Sequence, residues 1–443
     1  MTRLFRYQLT WLAFGITWFV LPPSLYARSS GIDAALASQY FREAQSLSQR
    51  DQGKLWKIEI YGPMLFVDGE TRSIAANQAD PEGKLTQQGD VFIGTLPKDI
   101  GVANTAMEWA GVKWTMMIWP LPEDKQDRAR LMMHESFHRI QDKLKLPMSN
   151  PANRHLDSQD GRIWLQMEWR ALTIALMERE VSRRKAIEDA LVFRRYRQSL
   201  FPGAAAEERA LEFNEGLAEY TGVRLSTRSD AEAAALAVSG LRNARDRPSF
   251  VRSFAYVSGP AYGELLDESK ISWRQQIRVE DDFGSLLERV MVLKLPPATR
   301  MEVMKRSTAY DGDALIAAET QREALHQQKL NQYRARFFEN PVLILPVTNK
   351  FRFSFDPNNL MPLDESATVY PTLWVSDSWG VLDCSQGALL LRENGRVAEI
   401  RIPLPKDVDS LPLRGEGWTL ELSVGWKMEP GPRKGDLRLS RVP

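Results

Sequence analysis

The chain has 443 residues, 43% hydrophobic and 26% charged, a globular composition that excludes global disorder and suits two or three domains. Lys and Arg number 58 against 57 for Asp and Glu, so no basic surplus is available to neutralise a phosphate backbone and no nucleic-acid partner is expected. A single cysteine, Cys384, excludes an intrachain disulfide framework and any multi-cysteine metal site, which leaves the chemistry to carboxylates, hydroxyls and four histidines.

The N-terminal segment has the pattern of a secretory signal. Arg3 and Arg6 precede an apolar run from Leu9 to Leu21, Pro22 and Pro23 break it, and Ala27 offers a small residue for cleavage, with Leu25 as the one departure from the usual small side chains. The run of 13 residues is short of the about 20 that a spanning helix needs. Residues 1–27 are therefore expected to be a removable signal peptide. The mature chain would then be exported, periplasmic or extracellular, without a stable transmembrane anchor.

Residues 32–50 have helical spacing. From Trp56 to about Pro122 the pattern turns to strands (KIEIYG, MLFVDG, DVFIGTL and AMEWAGVKWTMMIWPLP), with Asp68-Gly69 as a hairpin-type turn. Helices are predicted over 124–146 and over 158–200, the second long and rich in arginine. Further helices follow around 205–227, 231–241, 258–268, 283–292 and 313–338. After Pro341, alternating or continuous apolar runs between Pro, Asn and Gly predict a β-rich domain of about 100 residues. The expected fold class is α+β: an N-terminal helix and β-rich lobe (28–122), a mainly helical domain (123–340) and a C-terminal β-rich domain (341–443).

Residues 131–142, LMMHESFHRIQD, contain the pattern H-E-x-x-H. On an α-helix the four-residue step puts His134 and His138 on one face a turn apart. Both imidazoles can then reach one zinc ion, and Glu135 projects beside them as a base for an attacking water. A third ligand should come from a separate helix, and residues 212–222, EFNEGLAEYTG, supply a carboxylate pair at helical spacing in Glu215 and Glu219.

The pair H-E-x-x-H and N-E-G-x-A-E-Y resembles the gluzincin zinc metallopeptidases, closest at clan level to the aminopeptidase N family. The resemblance covers about residues 100–270. It implies a thermolysin-like catalytic domain, with Glu215 as the third zinc ligand and Glu219 as the carboxylate that orients the first histidine. A ligating imidazole needs an acceptor for its other N–H, which agrees with that role for Glu219. The family joins its two motifs by a short connection, whereas 76 residues, 139–214, intervene here.

Two further segments are similar to the family. T-A-M-E-W (105–109), on a predicted strand, resembles G-x-M-E-N, which implies that Glu108 binds a substrate α-amine; Ala106 and Trp109 depart from the pattern. Y-V-S-G (256–259) resembles Y-x-K-G, which implies that the Tyr256 hydroxyl stabilises an oxyanion; Ser258 replaces the lysine, and Tyr262 is the alternative. His155, in a Pro/Asn-rich loop, and His326, in a charged helix, are expected at the surface. Cys384 is expected to be a buried small hydrophobe, and the SRRK (182–185) and FRRYR (193–197) clusters are expected to decorate helix faces.

These features lead to an exported zinc metallopeptidase acting on peptides or protein segments, with aminopeptidase action favoured over endopeptidase action. The alternatives are a non-catalytic zincin-like scaffold that recognises partners through its C-terminal β domain, and a zinc hydrolase of a non-peptide bond. Composition and motifs carry no signal for the oligomeric state.

Overall fold

The structure is a computed structural model that describes residues 31–278, 280–355 and 360–442, so the expected signal peptide lies outside the described residues. The architecture is mixed α+β. Contacts divide the chain into two units, one of residues up to Glu43 with Pro63–Leu121, the other of Ala44–Gly62 with everything from Pro122 onward. Helix α1 (Ala34–Asp51) contributes to both. Among the described residues no helix is long and apolar enough to cross a membrane.

The first unit is built on a six-stranded sheet: β1 (Met64–Asp68), β2 (Ser73–Ala76), β3 (Thr86–Gln88), β4 (Val91–Thr95), β5 (Thr105–Trp109) and β6 (Val112–Trp119). The strand order is β3-β4-β2-β1-β6-β5, with β1 and β6 parallel and the other pairs antiparallel. Both faces of β1 are covered, so it reads as a continuous apolar run rather than an alternating one. Leu65 and Val67 join Ile74, Trp114 and Met116 in a core on one face. Phe66 stacks on Phe41 of α1 at 4.5 Å on the other. Asp68 Oδ1 accepts from the backbone N–H of Glu70 and Thr71, closing the turn expected there. Strand β5 is an edge, joined to β6 by Ala110-Gly111, both at positive φ as a two-residue hairpin turn requires. Glu108 lies on β5 opposite Lys113 and is exposed.

The second unit opens with helix α2 (Lys125–Ile140), which Asp124 caps by accepting from the N–H of Asp127 at 2.8 Å. Helices α3 (Gln159–Met177) and α4 (Glu180–Leu200) follow. The single helix predicted over 158–200 is thus two. The chain leaves helical geometry at Glu178 and Arg179, Glu180 has positive φ, and the two helices pack together, with Trp164 of α3 at 5.0 Å from Tyr196 of α4. The helix predicted over 205–227 is also composite. It comprises α5 (Ala204–Leu211), a π-helical turn over Glu212–Gly216, and α6 (Leu217–Ser226). Helices α7 (Asp230–Asn243), α8 (Ser253–Glu268), α9 (Phe283–Met291), α10 (Arg300–Ser307) and α11 (Gly312–Arg334) complete the helical part.

Beyond Pro341 come β7 (Val342–Pro346), β8 (Arg352–Phe355), β9 (Met361–Pro362), β10 (Ala367–Tyr370), β11 (Leu373–Asp377), β12 (Gly380–Cys384), β13 (Ala388–Glu393), β14 (Arg396–Pro403), β15 (Leu413–Gly415), β16 (Trp418–Leu422), β17 (Trp426–Pro430) and β18 (Leu437–Arg441). They form two sheets, β17-β18-β7-β14-β13-β10-β9 and β15-β16-β12-β11-β8. Residues of both sheets, among them Leu345, Val375, Leu382, Ile400 and Leu420, share one core, and Cys384 is buried in it. The contact division keeps these strands in the same unit as the helices.

Candidate metal centre

Helix α2 is buried along its second half, where Met132, Met133, Phe137 and Ile140 are all inaccessible to solvent. That packing holds the H-E-x-x-H side chains in an interior rather than at a surface. His134, Glu135 and His138 are each less than a tenth exposed. Two imidazoles a helical turn apart must point the same way, and their Nε2 atoms lie 3.2 Å apart.

The π-helical turn brings the third donor. Glu215 Oε2 lies 3.4 Å from His134 Nε2 and 3.5 Å from His138 Nε2, and the three residues form a buried group that could hold a metal ion. A tetrahedron of N and O ligands about 2.0–2.1 Å from a central ion has edges of about 3.3–3.4 Å, close to all three separations. Gly259 is needed beside this turn. This residue of α8 meets the Gly216 backbone so closely that a Cβ on it would fall 2.3 Å from Gly216 O.

That contact draws α8 in. Tyr256 donates from its hydroxyl to Glu215 Oε2 at 2.7 Å, and its ring stacks on His134 at 5.5 Å. Arg252, one turn earlier, reaches Glu215 Oε1 at 3.4 Å. Tyr262, the alternative tyrosine, lies elsewhere: it is buried and donates to Glu168 Oε1 at 2.7 Å. Ser258 accepts from Trp169 Nε1 at 3.0 Å.

Each imidazole also has a partner for its other nitrogen. Glu219 Oε2 lies 2.7 Å from His134 Nδ1, and Arg130 neutralises the other Glu219 oxygen at 3.3 Å. The sequence pairing of Glu215 with Glu219 is thus realised on one histidine, one carboxylate at each nitrogen. His138 Nδ1 meets Gln141 Oε1 at 3.0 Å, a contact that H-E-x-x-H alone does not specify.

The electrostatics favour positive charge at this point. Burial works against a charged His134, but hydrogen bonds with Glu215 and Glu219 outweigh it and raise the imidazole well above its ordinary value. Burial likewise opposes ionisation of Glu215, yet hydrogen bonds from both histidines and from Tyr256 hold the carboxyl well below the usual range. Glu135 is pushed up by burial, only partly offset by His134 and His138, and its Oε2 has no hydrogen-bond partner among the described residues. A buried acceptor left open beside the triad is suited to taking a proton from a molecule that enters.

Two surface assignments are corrected. Arg194 and Arg197 of the FRRYR cluster are buried, because they lie among carboxylates from three other segments. Arg194 holds both oxygens of Glu212 at 2.8 and 2.6 Å. Arg197 holds both oxygens of Glu208 at 2.9 and 2.8 Å and reaches Glu168 at 2.5 Å. The His155 side chain is also turned inward, 7% exposed, with Nε2 2.9 Å from Glu208 Oε1. Glu108, the remaining residue of the sequence reading, is exposed on β5 of the first unit.

The chain matches no family model, no curated protein and no solved structure.

Proposed function

We propose that this protein is a gluzincin-like zinc metallopeptidase that hydrolyses peptide bonds with Glu135 as general base. The observation that carries the reading is the convergence of His134 Nε2, His138 Nε2 and Glu215 Oε2 beside the open carboxylate oxygen of Glu135. Two imidazoles and one carboxylate are a donor set that suits zinc, and three protein ligands are the number found at catalytic rather than structural sites. Bound zinc supplies Lewis-acid chemistry, acidifying a water and polarising a carbonyl oxygen.

The chain's own residues do the rest. Glu135 takes the proton of the attacking water and passes it to the leaving amine, a task for which a carboxyl raised by burial is better matched to neutral pH. Tyr256, whose hydroxyl lies at the ligand Glu215, turns its proton to the oxyanion as charge develops. Glu219 holds His134 with Nδ1 protonated and Nε2 free to bind. The substrates are peptides or protein segments met outside the cytoplasm, after removal of residues 1–27.

Metal content per chain, measured together with hydrolysis of a mixed peptide library, tests the proposal. The expected result is about one zinc per chain with turnover. Glu135→Gln should retain the metal and abolish hydrolysis, because an amide cannot accept the proton. Full activity in that variant would refute the general base, and zinc without turnover in the unaltered protein would favour a scaffold instead.

A further inference from the structure

Gln141 caps the C-terminal end of α2 and is fully buried. Its side chain uses both amide N–H bonds and its oxygen. Nε2 donates to Pro147 O at 3.0 Å and to Phe213 O at 3.3 Å, and Oε1 faces His138 Nδ1 at 3.0 Å. The two carbonyls can only accept, so the amide cannot be flipped without setting its oxygen against both of them. The orientation is therefore determined by the backbone. With Oε1 fixed toward His138, Nδ1 must carry the hydrogen and Nε2 must present its lone pair. That lone pair is the one pointing at His134 Nε2 and Glu215 Oε2.

Phe213 belongs to the π-helical turn that carries Glu215. Gln141 thus touches both ligand-bearing elements, fixing a ring on α2 and anchoring the backbone two residues before the carboxylate. A second tie joins the same parts of the chain: Asn214 Nδ2 donates to Asn150 Oδ1 at 3.0 Å, in the segment that follows α2.

We propose that Gln141 is a positioning residue of the metal centre, locking the His138 tautomer and holding the Glu215 turn against α2. The proposal rests on the metal-binding reading above. It adds an asymmetry to it: His134 is oriented by a carboxylate, His138 by a neutral amide whose direction two backbone carbonyls dictate.

Two variants of the full chain separate the two tasks. Gln141→Leu is close in volume and makes none of the three hydrogen bonds. It should weaken zinc binding by about 10- to 100-fold in competition with a chromophoric chelator. The visible absorption of the Co2+-substituted protein should also shift, because the His138 ring is no longer held. Gln141→Glu keeps the acceptor for His138 but sets a carboxylate oxygen against Pro147 O and Phe213 O. It should bind zinc at least ten times more tightly than the leucine variant, while the thermal midpoint of its metal-free form falls.

A merely structural Gln141 would lower the midpoint in both variants and leave zinc affinity and the Co2+ spectrum as in the unaltered protein. That result overturns the proposal while the metallopeptidase reading stands. Equal loss of affinity in the two variants refutes the tautomer argument. An unaltered protein that binds no zinc overturns both readings.

Discussion

Replacing Arg197 by Met should destabilise the second unit more than any change at its surface. Arg197 is fully buried between Glu168 and Glu208, which are themselves inaccessible to solvent. The substitution preserves most of the side-chain volume and removes the guanidinium, leaving two buried carboxylates short of a partner. Neither is stripped bare. Glu168 keeps Tyr262 at 2.7 Å and Arg194 at 3.3 Å, while Glu208 keeps His155 and Gln198, both at 2.9 Å. The residual partners argue against an extreme cost, and the ordinary price of breaking one side of a buried pair applies, about 3–5 kcal/mol. Urea unfolding at neutral pH, followed by circular dichroism with zinc held in excess, reads this directly. Adding Glu208→Gln to Arg197→Met should recover part of the loss, because one orphaned charge is then gone. A cost below about 1 kcal/mol, or a double variant no more stable than the single, would refute the view that these charges are mutually compensated.

The same network predicts an acid limb. Burial opposes ionisation of Glu208, but Arg197 outweighs it and, with His155, holds the carboxyl below its ordinary value of 4.5. A depressed carboxylate stabilises the fold above that ordinary value and loses its contribution as pH falls toward the folded one. Unfolding free energy should therefore drop between about pH 5 and pH 3, and less steeply in Arg197→Met; equal slopes would rule the assignment out. Glu219→Ala should weaken zinc binding by about 10- to 100-fold, read by chelator competition, because His134 Nδ1 loses its acceptor at 2.7 Å. Unchanged affinity would show that His134 needs no such partner.

What the sequence made legible was local. His134 and His138 could be paired because four residues on a helix return to the same face, whatever surrounds them. The strand runs of the first unit, the β-rich texture after Pro341 and the burial of Cys384 follow from side-chain patterns of the same short range. Gln141 could have been found by the same rule, as a polar residue three positions after His138. The break between α3 and α4 has no such signal, since Met177-Glu178-Arg179-Glu180 contains neither Gly nor Pro, and the reversal exists because Trp164 and Tyr196 pack. The burial of Arg194 and Arg197 was hidden for a related reason. Charged residues at helical spacing look alike on a solvated face and in an ion-paired interior until their partners are known.

Those partners are distant in sequence, and their arrangement gives a purpose to the long connection between the H-E-x-x-H helix and Glu215. Glu168 comes from α3, Arg194 and Arg197 from α4 and Glu208 from α5, all within the 76 residues that separate His138 from Glu215. Through Arg194 the cluster grips Glu212, the first residue of the π-helical turn, and Glu215 is the fourth. A π turn holds its backbone less well than an α-helix and needs support from outside. Here the support comes from the insertion on one side and from Gly259 on the other. Shortening the connection to fewer than twenty residues would remove Glu168, Arg194 and Arg197 together. Glu215 would remain in the sequence, but the turn that aims it would lose its bidentate anchor.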